Sequence, residues 1–168
     1  MKRTVWLLCL LALGAVLTAW AASDFSGTWA LDKAKSDPIR MGRPGGGGGG
    51  GDIDVTLAIK QTANEITITR KMNVGGEDRT SEQKFTLDGK ESTNPATMGR
   101  GEFKAKANLQ GDKLTIEGTQ KMSTPQGDFE IGIKDEYVLS DAGKVLTITS
   151  TRSTPQGDRT SKQVYNRK

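Results

Sequence analysis

A chain of 168 residues with 24 basic and 20 acidic side chains, no histidine and one cysteine suits one domain and excludes several chemistries at once. Histidine is the commonest general base and metal ligand, and the thiolate is a standard nucleophile, so most familiar hydrolase and metalloenzyme mechanisms have no residues to run on. The small positive excess is not the electrostatic footprint of a nucleic-acid binder.

Residues 1–21 read as a secretory signal. Lys2 and Arg3 precede the apolar run TVWLLCLLALGAVL, and Ala19 and Ala21 supply the small residues of a cleavage site. The run is shorter than the ~20 apolar residues of a spanning helix. Cleavage after Ala21 removes Cys9 and leaves Ala22 where a lipoprotein would carry cysteine. It takes two basic residues and no acidic one, leaving 22 against 20, a net charge of +2. The expectation is a single domain over 22–168, exported to a periplasm or beyond the cell, without a membrane span or disulfide.

The domain opens with DFSGTWALDKAKS, whose GTWAL is a first short strand. Residues 42–52 follow as a glycine-rich loop: seven consecutive glycines, Gly45 to Gly51, lose too much entropy on ordering to pack a core. A Walker-type phosphate loop would need Gly-Lys-Ser/Thr and a helix after the glycines, whereas Asp52 and a β-patterned run stand there. Arg40 and Arg43 flank the glycines as solvated charges.

From Ile53 onward the apolar residues alternate, the period of half-buried strands. Ile53, Val55, Leu57 and Ile59 share one face; Ile66, Ile68 and Met72 the next; then come Phe85 and Leu87, Phe103 to Leu109, Leu114 and Ile116, Phe129 to Leu139, and Leu146 and Ile148. Turn signals separate them near Asn64, Gly75, Gly89, Gly111 and Gly143. The hexapeptide Ser-Thr-Pro-Gln-Gly-Asp occurs at Ser123 and again at Ser153. Proline presets the first turn residue and glycine can take positive φ, so each copy predicts a type I hairpin turn closing through a glycine bulge. No segment has a helical period. The prediction is an all-β fold, an antiparallel up-and-down meander of eight to ten strands closed into a barrel, because closure removes exposed sheet edges.

Strand parity also turns polar residues inward, among them Arg70, Asp135, Tyr137, Ser150, Arg152, Gln163 and Tyr165. Two explanations stand. The barrel holds a half-polar cavity for an amphipathic ligand, or the alternation slips at bulges and these residues face solvent. The candidates for anchoring a ligand head group are Tyr137, Tyr165, Arg70, Arg152 and Gln163.

A Gly-x-Trp entering the first strand, a β meander, and a last strand ending VYNRK together resemble the calycin superfamily of lipocalins and fatty-acid-binding proteins. More closely, the chain looks like small exported bacterial lipocalin-like proteins. The resemblance implies that Trp29 plugs the closed end of the barrel and that Arg167 packs across it, a guanidinium over an indole. It also implies an Arg-x-Tyr carboxylate site on the last strand, but the matching positions are Gln163 and Tyr165, so that route to a fatty-acid carboxylate lacks its arginine.

The expected function is a binding module for a small apolar or amphipathic ligand in the cell envelope, with a structural or protein-interaction barrel as the alternative. No enzyme is expected. Asp135 and Glu136 are strand neighbours that point to opposite faces, and Asp52 with Asp54 flanks the glycine run. No cofactor, metal site or nucleic-acid partner is expected.

Overall fold

A computed structural model describes residues 23–39, 53–96, 101–124 and 127–168. The expected signal segment and the glycine-rich loop at 42–52 lie outside the described residues.

Ten strands follow one another: β1 (Gly27–Leu31), β2 (Asp54–Gln61), β3 (Glu65–Val74), β4 (Glu77–Thr86), β5 (Glu91–Pro95), β6 (Glu102–Gln110), β7 (Lys113–Thr124), β8 (Gly127–Ser140), β9 (Val145–Thr154) and β10 (Gly157–Arg167). All pairings are antiparallel between sequence neighbours, and β1 also pairs with β10, giving the order β4-β3-β2-β1-β10-β9-β8-β7-β6-β5. This is the predicted meander, as a nearly closed barrel.

The second copy of the hexapeptide turns at residues 155–156, with Thr154 opposite Gly157 and Gly157 at φ +109°. In the first copy Thr124 lies opposite Gly127, at φ +119°. Its turn residues, 125–126, lie outside the described residues. Both hairpins point to the same end of the barrel, because alternate turns of a meander share an end.

The two ends differ. At the closed end Phe25, Trp29, Leu114 and Leu146 are fully buried, as a barrel filled by its own side chains requires. The Trp29 indole donates to the Phe25 carbonyl at 3.0 Å, so its one polar group is satisfied. At the other end inward-facing positions emerge: Phe129 keeps the parity of Ile133 and Tyr137 yet is 40% exposed.

The strand that apolar alternation does not reveal is β5, a polar five-residue segment, ESTNP. It pairs with β6 and meets β4 without a backbone ladder. The junction is made by side chains instead. The buried Asn94 accepts from the Lys84 N–H at 2.7 Å and donates back to the Lys84 carbonyl at 3.0 Å, while Ser92 Oγ accepts from the Thr86 N–H at 3.2 Å. The carboxamide of Asn94 thus replaces one peptide unit of a missing strand contact.

Elsewhere small residues let the wall turn. Gly118 lies opposite Ala105, and a Cβ on it would run into the Lys104 carbonyl oxygen and come within 2.5 Å of the Ala105 Cα. Only glycine allows β6 and β7 to approach this closely.

Candidate functional site

The inward polar residues are not scattered by bulges. The β8–β9 register runs unbroken from Gly132↔Ser153 to Ser140↔Val145, and β9–β10 from Gly157↔Thr154 to Asn166↔Val145. Parity is therefore kept, and Asp135 on β8, Ser150 and Arg152 on β9, and Gln163 and Tyr165 on β10 share one wall of the barrel. Opposite it Val55, Leu57, Ile68 and Phe103 are all buried, and Arg70 projects from the same face of β3.

Toward the open end this polar wall lines a cup of 840 Å³. Arg70, Arg152 and Arg159 enter it from β3, β9 and β10, with Ser150, Ser161 and Gln163 between them. The third side is residues 37–39, which follow β1. That segment is tied along β10: Asp37 N–H donates to the Lys162 carbonyl at 2.8 Å, and the Asp37 carboxylate accepts from the Lys162 N–H at 2.7 Å.

Of the five candidates, Arg70, Arg152 and Gln163 line the cup. Tyr165 is fully buried and Tyr137 nearly so, and both sit beneath the lining. Tyr165 still reaches the site through its hydroxyl, which donates to Gln163 Oε1 at 2.7 Å. Arg70 Nη2 donates to the same oxygen at 3.1 Å and to the Tyr165 hydroxyl at 3.4 Å. Burial pushes the Tyr165 phenol above its ordinary pKa, opposed by the Arg70 charge. Burial, reinforced by the Asp135 carboxylate, pushes Tyr137 up as well. Both phenols are neutral at physiological pH.

Arg152 Nη1 donates to Asp135 Oδ1 at 2.7 Å, a charge-assisted bond between half-sheltered partners. Arg70 has no carboxylate partner among the described residues; it is held by the neutral Gln163 and Tyr165. With its oxygen doubly engaged, the Gln163 carboxamide keeps its N–H donors for the cup. The cup therefore offers donors in excess of acceptors.

At the closed end the Arg167 guanidinium lies over Trp29, 4.4 Å from the ring centroid. It donates to the carbonyls of Ser26 at 2.7 Å and Gly143 at 2.8 Å. This pair is far from the cup and belongs to the architecture.

Arg159 was not among the sequence candidates. Counting back from Tyr165 in steps of two reaches Gln163, Ser161 and Arg159, so parity carries the signal; its place beside the hexapeptide turn hides it.

No family model matches the chain, and no curated protein matches it by sequence. Solved structures do match. The fold is that of the calycins. A zebrafish ileal bile acid-binding protein, solved with cholic acid, superimposes with a TM-score of 0.59 at 23% identity, covering 86% of this chain and 98% of its own. The fatty acid transporter REP1-NXSQ gives 0.59 at 15% identity, over 85% and 95%. A secretory abundant heat soluble protein from Ramazzottius varieornatus gives 0.59 at 18% identity, over 89% and 98%. At these identities the likeness concerns the barrel alone.

Proposed function

We propose that the protein is an exported binding module that takes up a small amphipathic ligand in the cell envelope. The observation that carries this reading is the cup itself. At 840 Å³ it falls within the roughly 300–1,000 Å³ of small-molecule sites, and its polar wall is bordered by the apolar side chains of Pro38 and Ile39. Such a site seats a head group on one side and a hydrocarbon surface on the other. Barrels of the same fold solved as a fatty acid transporter and as a bile acid-binding protein support the reading, as does the signal-like segment at 1–21. A scaffold without a ligand has no use for an arginine held in the interior by neutral groups.

The test is native mass spectrometry of the protein produced from the full 168-residue chain in its host, purified from the envelope and compared before and after organic extraction. A discrete added mass that extraction removes is expected, on a polypeptide that begins at Ala22. A bare polypeptide in both samples overturns the binding reading and leaves the structural or protein-interaction barrel in its place. A mature N-terminus at Met1 overturns the export reading.

A further inference from the structure

Arg152 and Arg159 stand directly opposite each other in the β9–β10 register. Both face the interior, and both line the cup. Like charges in directly opposed positions destabilise a sheet, and such local conflicts are concentrated where function requires them. The neighbourhood does not relieve this one fully. Asp135 pairs with Arg152 at 2.7 Å, whereas the Arg159 side chain has no ion-pair or hydrogen-bond partner among the described residues. The other carboxylate of the cup, Asp37, is turned to the Lys162 backbone N–H. Arg70, deeper on β3, is likewise without a carboxylate.

We propose that the mouth of the cup is an oxyanion site in which Arg159 and Arg152 bracket the acidic head group of the ligand, a carboxylate or a sulfate ester, with Gln163 and Arg70 donating from below. The proposal rests on the binding reading above and gives it a head-group class. The chemistry follows from the inventory. Guanidinium forks match planar and tetrahedral oxyanions bidentately, and the remaining free groups, the Gln163 N–H donors and the Ser150 and Ser161 hydroxyls, donate as well. A cationic head group would find three guanidiniums and be repelled. Asp135 moderates the site: by occupying Arg152 it limits how much negative charge the mouth accepts. Because Arg159 is exposed at the rim, its field reaches approaching ligands and is screened by salt, with a Debye length of ~10 Å at 0.1 M and ~3 Å at 1 M.

The experiment uses a neutral fluorophore, N-phenyl-1-naphthylamine, bound to residues 22–168 at neutral pH. It is displaced with sub-micellar decanoate, decyl sulfate, decyl glucoside and decyltrimethylammonium. The expected result is displacement by the two anions at concentrations about tenfold below the glucoside, with the cation weakest and the anion advantage shrinking in high salt. Decanoate against decyl sulfate separates the two head groups. R159Q is expected to erase most of the anion advantage by weakening the two anions far more than the glucoside, and its rim position keeps folding intact. D135N is expected to increase the anion advantage, which loss of a merely structural ion pair would not do. Equal displacement by anionic and neutral amphiphiles, or an anion advantage that survives R159Q, overturns the oxyanion site while the binding module stands. If the fluorophore and every amphiphile fail to bind, the binding reading itself falls.

Discussion

Arg167 reaches back over Trp29, 4.4 Å from its ring centroid, and joins the end of β10 to the loops before β1 and after β8. One side chain thus supplies a cation–π contact and hydrogen bonds to carbonyls of two segments. Gly27 makes room for it: at φ +140° it occupies a region closed to most residues, and a Cβ there would lie 2.9 Å from Arg167 Nη1.

Replacing Arg167 by lysine keeps the charge and loses the planar fork. The expected cost is about 1–3 kcal/mol. After removal of residues 1–21 Trp29 is the sole tryptophan, so a urea titration followed by indole fluorescence reports this end of the barrel directly. An unchanged midpoint for R167K would show that the stacked arginine contributes nothing to closure.

Asn94 stands in for a strand. Asn94→Ala leaves both the N–H and the carbonyl of Lys84 without partners at the β4–β5 junction, a cost of about 1–3 kcal/mol for each group that water does not reach. Hydrogen exchange is the direct readout. The Lys84 amide is expected to lose protection in N94A while amides in the β8–β9 ladder keep theirs.

Gly118 and Gly132 make a paired test of space in neighbouring strands. Gly118→Ala collides with backbone and is expected to cost about 1–3 kcal/mol or to prevent folding. Gly132→Ala meets only Ser153, nearest at its Cβ at 3.3 Å, which a small shift of that exposed side chain relieves, and it is expected to cost far less than Gly118→Ala, since alanine also lowers the entropy of the unfolded chain. Thermal melts of the two variants check the contrast, and equal midpoints would refute the close β6–β7 approach.

The chain has two tyrosines, and burial raises both Tyr137 and Tyr165 above the ordinary phenol value of about 10. A phenol whose folded pKa exceeds its unfolded one binds its proton more tightly in the native state. The resulting stability is whole below about pH 10 and is lost as pH rises from there toward the folded values. Phenolate absorbance at high pH is therefore expected to appear together with loss of β-sheet circular dichroism. Ionisation of either tyrosine near pH 10 with the sheet intact would show that it is solvated.

The strands and turns of the barrel were largely legible before any tertiary information. Alternation of Ile53, Val55, Leu57 and Ile59, or of Phe103, Ala105 and Ala107, is a local property, and proline-glycine turn chemistry is satisfied within a few residues. The plug of Trp29 under Arg167 was also readable, from motifs at the two ends of the chain. By contrast β5 is not legible in the sequence, because its role depends on a carboxamide reaching another strand and not on apolar period.

What the sequence determined by itself was the all-β meander, its hairpins and the inward parity of its polar residues, since each depends on side-chain period and turn preference within one or two strands. Only the tertiary structure decided that Arg70 meets Gln163 and Tyr165, partners 93 and 95 residues away, that Asp135 engages Arg152, and that Arg159 is left facing Arg152 at the rim. These contacts arise when β1 pairs with β10 and brings β3 around to the β8–β10 wall. Barrel closure and register set which inward groups meet, and no local pattern in the chain encodes the distance between them.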